Sequence, residues 1–360
     1  MKKPSPTKVA VATALVAWAV SFYIHHPNVE GNIYSDVVSF WWRENSLREG
    51  LIPCIQYFFE YPPSACWIVY ASRLLGGETL LGYYVAFSWL SLAAFLAVSW
   101  SLTRLAGYPG AFFVLMPSML LYGVYNFDHF FTAFMAAAFV AYLNGKRRTA
   151  YLLLGAGFSV KLFTLILLPV FLAQNREKRI IAENIIFFIA GALPSSLPIL
   201  VLNPGWAPEL IVFLGSWGLE NSWTVWLSND PFSQSAKLLG YLIAGLLIIR
   251  GYVSSHPIPM KGFLVISGFL LGSPIFTPQM AIWLLPFTAA MKPLWPWIPL
   301  FESSNAAIIL TWFNTDTPTL PWTPPQTMAL LRAFALAAMW ITVYRAQTPI
   351  NFRTTAVKQA

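Results

Sequence analysis

Apolar residues fall in blocks separated by short charged or proline-bearing breaks, at 9–24, 61–75, 80–102, 109–126, 127–144, 181–201, 236–251, 262–276, 279–291, 294–313 and 327–344. A hydrocarbon core about 30 Å thick is crossed by roughly 20 helical residues. The blocks therefore predict an all-α chain that crosses a membrane many times.

Basic residues sort the two sides. Lys2, Lys3 and Lys8 precede the first block, and no small-residue cleavage site follows it, so it reads as an uncleaved first helix with a cytoplasmic N-terminus. Clusters at Lys146-Arg147-Arg148, at Arg176 with Lys178-Arg179, and at Arg345, Arg353 and Lys358 are then cytoplasmic as well. Each pair of clusters must be separated by an even number of crossings. Five blocks precede Lys146, so one of them does not span. Block 61–75 is the shortest of the five, opens Tyr61-Pro62-Pro63 and contains Arg73, which suits a helix lying at the exterior interface.

The same parity makes 149–173 a short membrane hairpin, because about 25 residues are too few for two full spans. Lys161 falls near its tip, where a cation is costly unless it meets a polar cavity or an anion. Counting the hairpin as two, the chain makes about twelve crossings and ends in a cytoplasmic tail. Two long exterior segments result, 25–79 with its interfacial helices and 203–235, and the acids collect on that face. The second segment carries Trp206, Trp217, Trp223 and Trp226, which suit headgroup anchoring or the stacking of a sugar ring.

Composition agrees. Of 360 residues, 57% are hydrophobic and only 10% charged, and no repeat or low-complexity linker divides the chain, so 1–360 reads as one integral membrane domain. The net charge of +8 lies in clusters between apolar blocks, which argues for topology and against nucleic acid.

Four groups of residues are similar to one known family. Asp36 is followed by Gly50 and by Phe59-Glu60-Tyr61-Pro62-Pro63; Asn126-Phe127-Asp128 opens a later block; Gly145-Lys146-Arg147 leads through Gly155 and Gly157 to Lys161 and Pro169. The fourth group is Ser273-Pro274, Thr277-Pro278-Gln279 and Trp283-Leu284-Leu285-Pro286. In this order they resemble the polyprenol-phosphate-sugar-dependent membrane glycosyltransferases of the GT-C superfamily, most closely glycosyltransferase family 87, the mannosyltransferase-like group. The chain departs from the pattern at Phe163-Thr164, where proline is common, and at Met280, where tyrosine is common.

The resemblance implies a GT-C type helix bundle and an inverting transfer of a hexose, mannose for this group, from a polyprenyl-phosphate donor to a lipid or glycan acceptor at the non-cytoplasmic face. It implies no metal and no cofactor. Deprotonating an acceptor hydroxyl calls for a carboxylate base, and the charge growing on the departing lipid phosphate calls for fixed cations. On that basis Asp36 and Asp128 are the catalytic candidates. Lys161, Arg332 and Gln279 are candidates for the lipid phosphate, and Glu60, Tyr61 and His129 for the substrate.

Each residue also has a structural reading. Asp36 and Asp128 suit helix N-termini, Lys161 suits a pair with a carboxylate, Arg332 a pair with Glu302, Glu60 the turn into an interfacial helix, and Gln279 the backbone freed by Pro274 and Pro278. Cys54 and Cys66 are near enough in sequence for a disulfide, although two separate thiols are the expectation from spacing alone. His25 and His26 with Asp36 lack a second ligand pair at metal-site spacing. Two other classes stay open: an isoprenoid-lipid transporter or flippase, which would favour internal repeats, and a noncatalytic subunit of a glycosylation complex.

Overall fold

The computed structural model describes residues 4–346, so the topology signals at Lys2, Lys3, Arg353 and Lys358 lie outside the described residues. Sixteen α-helices joined by 3-10 turns make up the described chain, and no strand is present among those residues. Helix α1 (Pro6–Ile24) starts where Ser5 accepts a hydrogen bond from the Lys8 amide and Pro6 presets the first helical turn. Two short helices follow, α2 (Asp36–Arg43) and α3 (Asn45–Arg48), then α4 (Pro63–Gly76) and the long α5 (Leu80–Ala106).

Next come α6 (Pro117–Tyr122), α7 (Asp128–Leu143), α8 (Arg147–Val160), α9 (Leu168–Leu172) and α10 (Lys178–Leu202). The remainder is α11 (Trp206–Ser216), α12 (Gln234–Val253), α13 (Ile258–Gly272), α14 (Leu285–Ala290), α15 (Ile298–Trp312) and α16 (Pro324–Tyr344). Five of these, α1, α5, α10, α12 and α16, are long and apolar enough to cross a membrane. The molecule is an all-helical, multi-pass integral membrane protein.

Some blocks that look continuous in sequence are not single helices. Residues 109–126 form most of a 3-10 helix (Tyr108–Leu115) and then α6. Residues 279–291 divide between a 3-10 helix (Pro278–Leu284) and α14. Proline explains both breaks: Pro117 and Pro286 lack the N–H that would carry the preceding helix onward, and each fits the first turn of the helix after it.

Packing relies on small residues and on side chains capping neighbouring carbonyls. On α12 the exposed Leu238, Leu242, Leu246 and Ile249 form one stripe, while Ala236, Gly240, Ala244 and Gly251 are buried. Apart from the buried Lys237 near its start, the helix is two-faced by size rather than by polarity, as expected where one face meets lipid. Helices α8 and α10 approach closely through Gly155 and Gly191; a Cβ at Gly155 would lie 1.9 Å from the Phe188 carbonyl oxygen. Helix α1 is tied to α5 by Trp18 Nε1 to the Ser88 carbonyl at 2.7 Å and Ser99 Oγ to the Ala10 carbonyl at 2.8 Å. Trp340 on α16 donates to the Leu264 carbonyl on α13 at 3.0 Å. These contacts hold the helices around a cavity built from the loops.

Candidate active site

A cavity of about 650 Å³ opens between α2, the Glu60–Pro62 turn, the 3-10 turn after α8, the segment after α11, the loop before Gln279 and the end of α15. Asp36, Glu60, Tyr61, Lys161 and Gln279 all line it. Sequence positions from 36 to 279 thus converge on one space.

Asp36 is the first residue of α2, and its helix start is stitched to the 124–126 segment. Ser35 Oγ donates to the carbonyls of Val124 and Tyr125, and the Val37 amide donates to the Tyr125 carbonyl. The N-cap is Ser35, so the Asp36 carboxylate does not serve as the cap. Asn126 Nδ2 instead donates to Asp36 Oδ2 at 2.6 Å and to the Tyr61 hydroxyl at 2.9 Å. One amide therefore fixes the carboxylate and the phenol together. Burial pushes the Asp36 pKa up to about 6, against the opposing hydrogen bonds from Tyr34 and Asn126.

Lys161 ends α8 in extended conformation, which turns its side chain toward the cavity. Its ammonium lies 3.3 Å from Asp128 Oδ2 and 5.1 Å from the centre of the Tyr61 ring. Asp128 is fully buried and its Oδ1 accepts from Trp283 Nε1 at 2.7 Å. It does not line the cavity. Asp128, expected to be catalytic, stands behind Lys161 with its carboxylate against the ammonium.

Two more candidates lie off the cavity. His129 follows Asp128 by one residue, about 100° around the helix, and is enclosed by Phe87, Phe95 and Phe130 away from the cavity. Arg332 is also buried and off the cavity. It does not pair with Glu302, whose carboxylate accepts from the Ser118 amide and hydroxyl. Arg332 donates to Asn305 Oδ1 at 2.7 Å, to the Asn221 carbonyl at 2.9 Å and to the Phe276 carbonyl. Its guanidinium fastens three segments together, which occupies donors that a phosphate would need.

Glu60 lines the cavity but is paired with Arg43 at 2.7 Å, and Arg43 also contacts Glu44 at 3.3 Å. Arg43 sits seven residues after Asp36, two turns along the same face of α2, and lines the cavity too. Gln279 leaves Oε1 without a hydrogen-bond partner among the described residues. Glu220 is a cavity carboxylate that the sequence distinguished only as one exterior acid among several. Asn126, which ties Asp36 to Tyr61, was visible only as a neighbour of Asp128. Between the polar groups, Phe163, Leu210, Phe213, Leu214 and Phe269 form an apolar wall.

The thiols are not separate: Cys54 and Cys66 form a disulfide, correcting the expectation from spacing, with Cα atoms 6.1 Å apart. Cys54 adopts φ +65°, a left-handed turn that brings its side chain back toward α4. The closed loop contains Glu60 and Tyr61, so it braces one wall of the cavity. His25 is taken up by the carbonyls of Ile33 and Leu121, at 2.9 and 2.8 Å.

A multi-pass helical protein with carboxylates, a lysine and an apolar wall around one cavity suits chemistry on an amphiphilic substrate. The model of Glycosyltransferase family 87 matches residues 58–272, more than half of the chain. The protein belongs to glycosyltransferase family 87 and is a membrane glycosyltransferase. Of the cavity residues named from sequence, Glu60, Tyr61 and Lys161 lie inside the matched segment, whereas Asp36 and Gln279 lie outside it. Among solved structures the chain is similar to ArnT from Cupriavidus metallidurans bound to undecaprenyl phosphate, with 12% identity, a TM-score of 0.49, and coverage of 93% of this chain and 76% of that one. A search of curated proteins finds no match.

Proposed function

We propose that this protein is an inverting GT-C type glycosyltransferase that moves a hexose, mannose in the first instance, from a polyprenyl phosphate to a lipid or glycan acceptor at the non-cytoplasmic face. The observation that carries the reading is that Asp36 and Lys161 line one cavity that also has an apolar wall. A carboxylate, a cation and an apolar surface in one space match the three parts of the reaction: acceptor hydroxyl, phosphate and prenyl chain.

In this scheme the acceptor oxygen attacks the anomeric carbon as the bond from that carbon to the phosphate oxygen breaks. The acceptor proton passes to Asp36, and the bonding electrons leave with the lipid phosphate. A base with pKa about 6 is ionised at neutral pH yet more basic than an ordinary aspartate, which suits proton abstraction. Asn126 fixes the carboxylate's direction. Lys161 meets the growing phosphate charge, with Asp128 holding the ammonium in place and Gln279 offering its amide nearby.

The test is incubation of the purified protein with a panel of polyprenyl-phosphate and nucleotide sugars and extracted membrane lipids, comparing the native chain with Asp36→Asn. Transfer from a lipid-phosphate sugar, absent in the variant, supports the reading. Movement of lipid between leaflets without sugar transfer would replace it with a flippase.

A further inference from the structure

We infer that Glu220 and Trp217 form the subsite that grips the hydroxyls of the transferred sugar ring, on the cavity wall contributed by the segment after α11. This assignment rests on the donor reading above and adds to it the residues that recognise the sugar.

Glu220 is built into place. Its amide donates to the Pro274 carbonyl at 2.9 Å and its carbonyl accepts from the Phe276 amide at 2.9 Å, so its backbone is clamped on both sides to the loop that leads to Gln279. The next residue, Asn221, sits at φ +52°, a left-handed conformation that among non-glycine residues asparagine tolerates well. Arg332 closes the arrangement by donating to the carbonyls of both Asn221 and Phe276. The buried guanidinium thus staples the two strips of backbone between which Glu220 is presented. A loop fixed this firmly defines where one carboxylate stands.

That carboxylate is under-used by the protein. Trp217 Nε1 donates to Oε2 at 3.1 Å, and no Lys or Arg among the described residues pairs with the group. A partly buried carboxylate without a cation is costly unless donors satisfy it. Of the cavity's cations, Arg43 is paired with Glu60 and Lys161 with Asp128, so neither pairs with Glu220, and an anionic ligand group is the wrong partner for it. A neutral ligand rich in O–H donors is the right one. Trp217 also lines the cavity, so the pair presents an acceptor beside an indole, which suits a ring with hydroxyls on its edge and C–H groups on its face. Lys161 enters the same cavity from another part of the chain, the end of α8.

The experiment measures binding of a polyprenyl-phosphate mannose and of the sugar-free polyprenyl phosphate to native protein, Glu220→Gln and Trp217→Phe, all in detergent. Measured well above pH 7, where the Glu220 carboxyl is ionised, loss of a hydrogen bond to a charged acceptor predicts about tenfold or greater weakening for the sugar-bearing lipid in Glu220→Gln, with sugar-free binding unchanged. Single-deoxy donors sharpen the readout: one deoxy position should weaken binding to the native protein, and the same change should have little effect in Glu220→Gln. Equal weakening of both lipids, or deoxy penalties that are identical in native and variant protein, overturns the assignment. If native protein binds neither lipid, the donor reading falls first and this inference falls with it.

Discussion

The Lys161 ammonium rests 3.3 Å from Asp128 Oδ2, with Asp128 buried completely and Lys161 reaching the cavity. The two therefore act as one unit, in which the aspartate stays inside the protein while the lysine presents its remaining donors outward.

Removing one partner of such a pair strands the other. Lys161→Met should destabilise the protein by about 3–5 kcal/mol, because Asp128 keeps only its bond from Trp283. The paired variant Asp128→Asn with Lys161→Met should recover most of that stability yet not bind polyprenyl phosphate. Thermal unfolding in detergent and lipid retention measure the two effects separately. Recovery of lipid binding in the paired variant would show that Lys161 has no role toward phosphate.

Asp36 makes activity and stability respond to pH in opposite directions. On the proposed role of Asp36 as base, transfer needs the carboxylate, so the acid limb of the rate should bend near pH 6 rather than near 4. For stability, a carboxyl whose folded pKa is raised binds its proton more readily in the folded state. Its contribution is complete below the unfolded value of about 4 and is lost as pH rises through about 6. Glu220, raised to about 7 first by burial and then by Asp36, acts in the same direction over a wider window. Ligand-free protein should therefore lose stability between about pH 4 and 7, and Asp36→Asn should flatten the lower part of that fall. Stability rising across the window would contradict the burial of these groups.

Arg332→Met should unfold or loosen the protein rather than weaken donor binding selectively. Three segments lose their common donor, and buried carbonyls left unpaired each cost about 1–3 kcal/mol. Thermal unfolding should drop markedly, with any loss of donor and acceptor binding equal. A folded variant with a donor-specific defect would return Arg332 to the phosphate site.

The disulfide should stiffen the loop that carries Glu60 and Tyr61. Replacing Cys54 and Cys66 together with serine opens a link across 12 residues and should cost about 3 kcal/mol. Proteolysis in the 52–62 region should become faster before the helices unfold. No change in either measurement would mean that the pair does not form in the purified protein.

Long apolar runs made α1, α5, α10, α12 and α16 legible from sequence, since run length is itself the physical requirement for crossing lipid. The blocks containing Pro117 and Pro286 misled, because hydropathy does not register a missing amide. At the site, Asp36, Tyr61 and Lys161 could be named in advance because polar groups beside apolar blocks are costly and demand a reason. Asp128 and His129 are adjacent, so helix geometry lets only one of them point toward Lys161. Arg332 carried the same sequence signal as a phosphate ligand, and its partners are the Asn305 side chain and two backbone carbonyls, which no side-chain pattern reveals. Glu220 was hidden for the converse reason: its place depends on backbone bonds to Pro274 and Phe276, more than fifty positions away.

The role of Asp36 as base is tested by transfer of labelled hexose from a polyprenyl phosphate, comparing native protein with Asp36→Asn, both shown to be folded and to retain the lipid. Native protein should give product, and the variant should lose at least about a hundredfold in rate, the lower bound for a general base. Near-normal turnover by Asp36→Asn would contradict that role.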